Sequence, residues 1–280
     1  MNRPARRPDH PRAELYDALN DRMVHDRWHD FHRLCVDKVT AKDIASRLAP
    51  NIRTAKTIAL LDMHAEHTIA DVKNMLQPYV GRQLVAKPAH SCGGFLDLSR
   101  PLTPKALTDL HSCAVADYFY TLRETQYLGL PRRIIVEENL GGEAAPNEYK
   151  FHCVFGQPLM AQIDIGRFGD HRRALVLADD FRWRPGNFGA PPFAEPPQQP
   201  PTWDAMMQLT RELCRPFDFV RIDLYDTPDG IFFSEFTFTP SAGTGFARHP
   251  DIRLLFDREW QKRSRRAHLR HSCVHYHWHR

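Results

Sequence analysis

The chain has no apolar run long enough to cross a bilayer, which leaves no candidate membrane span among its 280 residues. The basic start, Met1 to Arg7, has no apolar core behind it and does not read as a secretion signal. No two of the six cysteines (Cys35, Cys92, Cys113, Cys153, Cys214, Cys273) stand in a CxxC spacing; they read as reduced thiols of a cytoplasmic protein. A GxxxxGK[ST] phosphate loop is absent, as are an internal repeat and any Ser-His-Asp or Cys-His signature. There is no basic stripe in the body of the chain either. Residues 258–280 hold seven Lys/Arg against one Glu, a net of +6, so the formal +4 of the whole leaves the remainder at −2. That distribution argues against a nucleic-acid partner.

What the chain does have is a carboxylate pair in two strand-like runs, Val220-Arg221-Ile222-Asp223-Leu224-Tyr225 and Ile231-Phe232-Phe233-Ser234-Glu235-Phe236-Thr237-Phe238. They flank the turn Asp226-Thr227-Pro228-Asp229-Gly230. A hairpin centred on Pro228 sets Asp223 against Phe233 and Arg221 against Glu235. Arg221, Asp223, Glu235 and Thr237 then share one face with Ile231 and Phe233, and Asp223 and Glu235 are diagonal neighbours. Two carboxylates at that spacing suit a hard cation. The same alternation also serves a solvated outer face of a sheet.

Elsewhere the patterns are those of a mixed α and β chain. Residues 13–36 show loose helical spacing, and helices are expected at 41–48, 67–76 and 203–215, the last capped by Thr202. Thr103 and Pro104 open a helix expected to run to about Gln126. Strands are expected at 57–61, 84–86, 95–98, 133–140, 149–155 and 159–165. Seven prolines in 184–202 preclude regular structure there and suggest a long substrate loop inside one domain. Residues 1–12 and 258–280 read as solvated arms. The alternating histidines at 271–279 suit either zinc or nickel, or simply a solvated tail.

Four further segments carry chemistry. Leu84-Val85-Ala86-Lys87 delivers a lysine into the small-residue loop Pro88-Ala89-His90-Ser91-Cys92-Gly93-Gly94, whose backbone N–H groups can face phosphate. Cys92, beside two glycines, reads either as a nucleophile or as a plain small residue. Asp37-Lys38 precedes a short helix. Arg133 to Leu140 is an apolar strand ending in Glu137, Glu138 and Asn139. Asn147-Glu148-Tyr149-Lys150-Phe151 places Glu148 and Lys150 at alternate positions.

The order of these segments resembles the ATP-grasp superfamily, and within it the TupA-like ATP-grasp family of bacterial polysaccharide and teichuronopeptide biosynthesis. The resemblance rests on Asp37-Lys38, Leu84 to Pro88 with Ser91 and Gly93, Ile135 to Glu138, Glu148 to His152 with Phe155-Gly156, Phe219 to Tyr225, and Ser234 to Gly243. It covers roughly residues 36–250. It implies an α+β ATP-grasp fold in which two lobes with antiparallel sheets hold ATP between them. The lobes would be 36–136, with a lid loop at 88–94, and 137–257, with the Pro-rich loop; 1–35 would be an N-terminal arm and 258–280 a basic, His-rich tail.

The resemblance also implies roles. Lys38 and Lys87 would contact phosphates, and Ser91, Gly93 and Gly94 would close over them. Glu137, Glu138, Asn139 and Leu140 would meet adenine through backbone groups, Glu148 would hold the ribose, and Lys150 belongs to the same ATP-binding set. Asp223, Glu235 and Thr237 would ligate Mg²⁺. Arg221 and Lys87 would be catalytic. The superfamily commonly has Asn where Thr237 stands, and the TupA-like pattern tends to Thr; it also usually has Asp where Glu148 stands. The implied activity joins a small-molecule or glycan carboxylate to an amine through an acyl-phosphate, with ATP and Mg²⁺. A small-molecule or sugar kinase and a non-catalytic nucleotide-binding module are the rival readings. Neither substrate nor the oligomeric state is written in the sequence.

Overall fold

The computed structural model describes residues 14–142, 146–167, 169–246 and 249–269. Two sheets organise it. In the larger, β1 (Arg53–Thr54), β11 (Gly230–Thr237), β10 (Phe219–Thr227), β6 (Asn147–Val154), β7 (Gln157–Ile165), β8 (Arg172–Leu177) and β9 (Trp183–Arg184) lie side by side in that order. Every neighbouring pair is antiparallel except β1 with β11. The smaller sheet has the order β2 (Thr57–Asp62), β5 (Arg133–Glu138), β3 (Leu84–Pro88), β4 (Leu96–Asp97), antiparallel throughout.

Each sheet buries one face under helices. α4 (Ile69–Leu76) and α5 (Pro104–Val115) cover the smaller sheet, setting Val72, Leu76, Leu107 and Leu110 on Ala86, Ile134 and Val136. Both helices start on sequence signals. Thr68 and Asp71 form a reciprocal capping box, and the Thr103 hydroxyl accepts from Ala106 N–H ahead of Pro104. α2 (Asp30–Val36), α3 (Thr40–Leu48) and α7 (Trp203–Cys214) cover one face of the larger sheet, with Ile44, Trp203 and Met206 on Ile222, Leu224 and Phe236. Phe151 and Phe236 are fully buried there, and truncating either to Ala would cost about 3–5 kcal/mol.

The other face of the larger sheet is divided. At one end, beyond the short turn α8 (Pro240–Gly243), α1 (Leu15–His25) and α9 (Pro250–Leu269) pack Leu15, Leu19, Phe256 and Trp260 onto Val154, Met160 and Phe219. The opposite end stays polar and faces the smaller sheet. α1 and α9 are also tied directly to each other: Leu15 N–H donates to Asp257 at 3.0 Å.

Several expectations need correction. The helix from Pro104 stops at Val115, because Ala116 is extended and the Asp117 carboxylate caps Phe119 N–H to start the separate turn α6 (Phe119–Leu122). Thr202 does not cap α7; its hydroxyl donates to Asp226 instead. β5 ends at Glu138, not at Leu140. Residues 258–269 are helical rather than a loose arm, since Ile252, Phe256 and Trp260 recur at four-residue spacing and bury against the sheet. The histidines at 271–279 and residues 1–12 lie outside the described residues. The hairpin turns through Thr227 and Gly230, and a β-bulge at Ser234 shifts its register. Asp223 therefore pairs directly with Glu235, Arg221 with Thr237, and Leu224 with Phe233. The bulge moves Phe233 to the apolar face and Phe232 to the charged one, the reverse of plain alternation.

Candidate functional site

A cavity of about 390 Å³ lies between the two sheets. Its floor is the polar end of the larger sheet, where alternate residues on neighbouring strands line up in rows. One row reads Glu235, Asp223, Lys150, Gln162 across β11, β10, β6 and β7. The next reads Tyr225, Glu148, Asp164, Arg173 across β10, β6, β7 and β8. On the other side lie Thr237, Arg221, His152 and Met160, where the polar floor meets the apolar end. Strands about 4.8 Å apart turn this pattern into a regular grid of charges.

The charges are paired within the grid. Lys150 Nζ lies 2.6 Å from Asp223 and 2.7 Å from Glu148. Arg221 donates through Nε and Nη2 to Asp223, at 2.6 and 2.7 Å, and reaches Glu235 at 2.9 Å. Arg167 completes the set on Glu148. Burial alone would lower the Lys150 ammonium, but Asp223 and Glu148 hold it above the ordinary lysine range. Burial alone would raise Glu148, and Lys150 with Arg167 keeps it below the usual carboxylate range. His152 is pushed well below its ordinary value by burial and then by Arg221, Lys150 and Arg173, so it stands as a neutral imidazole with its Nε2 unbonded among the described residues.

The roof comes from the smaller sheet. Glu137 is 3% exposed and receives Lys87 on one oxygen at 2.5 Å and Lys42 on the other at 2.6 Å. Burial would raise Glu137, but the two ammonium groups pull it below its usual range. Lys87 is raised, since Glu137 and then Tyr225 outweigh its burial. Lys42 is lowered, because its burial outweighs Glu137. Lys38 Nζ donates to Ser91 C=O at 2.5 Å, and its backbone N–H donates to Ala89 C=O.

Eleven of the expected residues line the cavity: Lys38, Lys87, Gly93, Glu137, Glu138, Asn139, Leu140, Glu148, Lys150, Arg221 and Glu235. Four do not. Asp223 lies beneath the floor, held by Arg221 and Lys150, and Thr237, paired across strands with Arg221, donates to Glu235 at 3.3 Å. Ser91 turns its hydroxyl to Cys113 C=O, away from the cavity, and Gly94 packs on α5. Backbone N–H groups of Glu138 and Asn139 donate to Lys56 and Gln83. No residue of 184–202 reaches the lining; the Pro-rich segment meets the cavity through Arg173, which donates to Phe188 C=O. Arg167 and Arg173 line it, whereas Arg172 pairs with Asp170 outside.

Other residues escaped the sequence. Gln162 and Asp164 repeat on β7 the alternate polar spacing of Glu148 and Lys150, a signal that was available. Glu124 gave none. It is 4% exposed, accepts from Thr239, and is raised by burial; Thr239 in turn accepts from Gln126 at 2.5 Å.

The Asp223, Glu235 and Thr237 donors are all oxygen, the kind a hard divalent cation takes. No group of three or more His, Cys, Asp or Glu converges on one point among the described residues. The fit is therefore chemical rather than preassembled: a cation at Asp223 and Glu235 needs Arg221 or Lys150 to give up a carboxylate oxygen.

Comparison with known proteins follows the same lines. No curated protein matches the chain. Among solved structures, a D-alanine–D-alanine ligase from Helicobacter pylori matches at 14% identity and TM-score 0.42, over 82% of this chain and 61% of that one. The Bacillus anthracis D-alanine–D-alanine ligase complexed with ATP matches at 14% identity and TM-score 0.39, over 82% and 67%. The ATP-grasp ligase PsnB complexed with minimal precursor matches at 9% identity and TM-score 0.38, over 73% and 52%; the chain thus spans about half the length of PsnB. At these identities and scores the three matches carry no argument of their own. The sequence pattern of the TupA-like ATPgrasp family, however, matches residues 17–255. The two sheets, antiparallel but for one edge pair, around a lysine-roofed, carboxylate-floored cavity are an ATP-grasp fold, and the chain belongs to the TupA-like ATPgrasp family.

Proposed function

We propose that the protein is an ATP-dependent carboxylate–amine ligase acting in the cytoplasm, in polysaccharide or peptide-conjugate biosynthesis. One observation carries this reading. The cavity sets Lys38 and Lys87 on one side against Arg221, Lys150 and Glu235 on the other, with Asp223 just beneath them, and every one of these charges has a partner that a ligand can replace. A triphosphate would take over the lysines and Arg221. The carboxylates so released would hold Mg²⁺, with Thr237 alongside. When bound, Mg²⁺ neutralises phosphate oxygens and makes phosphorus a better electrophile.

The residues then do the following work. Lys87, positioned by Glu137, and Lys38 neutralise the polyphosphate. Backbone groups of Glu137 to Leu140 other than the Glu138 and Asn139 N–H, which Lys56 and Gln83 already hold, meet the base, and Glu148 meets the ribose. A substrate carboxylate oxygen attacks the γ-phosphorus and the bond to the β–γ bridging oxygen breaks, giving an acyl-phosphate and ADP. Arg221 stabilises charge on the transferring group. An amine nitrogen then attacks the acyl carbon, phosphate leaves, the nitrogen loses a proton, and an amide results. No side-chain nucleophile is required.

The test is an ADP-release screen of carboxylates (uronic acids, glutamyl compounds and peptides) against an amine panel, with product analysis. An amide and free phosphate are expected. A stable phosphorylated product would make the protein a kinase, and nucleotide binding without turnover across the panel would make it a binding module.

A further inference from the structure

One wall of the cavity has no part in the chemistry above. It is built from β7 and β8, and Asp164, 2% exposed and outside the lining itself, lies behind it. Asp164 accepts from Arg173 Nε at 2.6 Å and from Gln162 Nε2 at 2.7 Å, and His171 Nε2 lies 3.1 Å away. Burial alone would raise this carboxyl; hydrogen bonding and charge from Arg173 more than offset that and hold it at about 2. An ionised carboxylate only accepts hydrogen bonds, so Gln162 must turn its NH₂ toward Asp164. Its amide oxygen therefore faces the other way. Gln162 lines the cavity, and that oxygen accepts no hydrogen bond among the described residues.

Gln162 is 7% exposed, and its unpartnered amide oxygen opens onto the cavity, where a donor of a bound ligand would replace water. The surroundings decide which kind. Gln162 pairs across strands with Lys150, and Arg173 and Arg167 line the same cavity. An ammonium donor would meet Lys150, Arg173 and Arg167, whose partners Glu148 and Asp164 are already engaged with them, whereas a neutral hydroxyl meets no repulsion. Arg173 commits N–H groups to Asp164 twice and to Phe188 once, which leaves two of its five, and half-exposed Arg167 donates to Glu148 alone. The wall thus offers one acceptor between cationic donors. Gln162 lies two strands from Asp223, about 10 Å, so it meets a part of the substrate remote from the reacting carboxylate.

We propose that Gln162, Arg173 and Arg167 form a substrate-recognition subsite for an oxyanion that carries a neighbouring hydroxyl group. Gln162 accepts from the hydroxyl, and the arginines hold the anion. Asp164 is the positioning residue that fixes both. This subsite deepens the ligase reading and rests on it, since it places the far end of a substrate whose carboxylate reacts at Arg221. A carboxylate or a phosphate serves equally as the anion.

The experiment measures binding by saturation-transfer NMR to protein saturated with Mg²⁺ and AMPPNP. The probes are matched pairs that differ only in whether the oxygen can donate: glycolate against methoxyacetate, and hydroxymethylphosphonate against methoxymethylphosphonate. In at least one pair the hydroxyl member should bind about tenfold more tightly. The pair that discriminates names the anion. Gln162→Leu should bring the two members to parity with AMPPNP affinity unchanged. Parity in the wild type, no binding of either hydroxyl probe, or discrimination that survives Gln162→Leu overturns the proposal. So does a loss of AMPPNP affinity in Gln162→Leu, which would assign the wall to the nucleotide. If that variant does not fold, the ether pairs on wild-type protein decide alone. Failure of the ligase reading is separate: it shows in the ADP-release screen, as a stable phosphorylated product or as no turnover, and not in these binding measurements.

Discussion

Lys38 holds Ser91: its ammonium lies 2.5 Å from the Ser91 carbonyl oxygen, on the loop expected to close over ATP. The same loop is fastened by Ser91 Oγ to Cys113 C=O and by His90 to Ala116 C=O. A nucleotide that recruits Lys38 to phosphate thereby unfastens one of these ties. Cys92, exposed within the loop, is a native reporter of its motion. Lys38→Ala should weaken AMPPNP binding by about tenfold and, because Lys38 also lowers the Cys92 thiol, should raise the rate of Cys92 alkylation by iodoacetamide per thiolate, followed by peptide mass spectrometry across a pH series. An unchanged rate per thiolate would refute the latch.

Asp223 and Glu235 should differ in what their loss does. Glu235→Gln and Asp223→Asn should each reduce Mg²⁺-dependent ADP formation by about 100-fold or more. The Asp223 side chain is wholly buried against Arg221 and Lys150, whereas that of Glu235 is 27% exposed. Asp223→Asn should therefore also lower the melting temperature, and Glu235→Gln should leave it nearly unchanged. Thr237→Val removes only a hydroxyl beside Glu235, and its effect on turnover should stay below about tenfold. Full turnover in either carboxylate variant would sink the metal assignment.

Acid should expose Asp164. Its carboxyl titrates at about 2 in the folded protein against an ordinary 3.8, so the unfolded chain binds the proton first as pH falls. The stability it confers is complete above pH 3.8 and is lost as pH drops toward 2, an amount of about 2 kcal/mol. Urea midpoints measured through this window should fall more steeply for the wild type than for Asp164→Asn. Equal slopes would show that other carboxylates carry the acid sensitivity.

Gly94 has little room. Its φ is +66°, and a Cβ there would lie 3.0 Å from Cys113 Cβ and 3.2 Å from Leu110 Cα. Gly94→Ala should cost about 1–3 kcal/mol, read as a drop in the urea midpoint, because both the backbone and α5 resist. Gly142, also at positive φ but with open space around it, should pay only for the backbone.

How much of this was legible follows from what each residue depends on. The helix start at Thr103 is local, since a side chain meets a backbone three residues away, and the sequence shows it; the Thr68 cap is equally local and lies one residue inside the start expected at His67. The cluster of Lys87, Glu148, Arg221 and Glu235 could be anticipated because each sits on a patterned strand in a familiar order. The hairpin register could not, because the bulge at Ser234 is set by which of Phe232 and Phe233 packs with Leu224 and Phe236 in the core. The alternate polar spacing of Gln162 and Asp164 is visible in the sequence, but their place beside Lys150 and Glu148 exists only once β7 pairs with β6. Glu124 joins Thr239 across a sequence separation of 115, which no local pattern records.

The clasp between Leu15 and Asp257 has a consequence in time. Those residues are 242 apart in sequence, and the helices they join seal the apolar end of the cleft floor. During synthesis, Arg221, Asp223 and Glu235 emerge before the helix that covers their neighbours. The nascent chain can pair β10 with β11 early, yet its floor is sealed only after residue 257 has left the ribosome. Contacts of such long range form slowly. Nucleotide binding is thus expected as a late event in the birth of this protein, and a chain arrested before α9 should expose the apolar half of the sheet to solvent or to a chaperone.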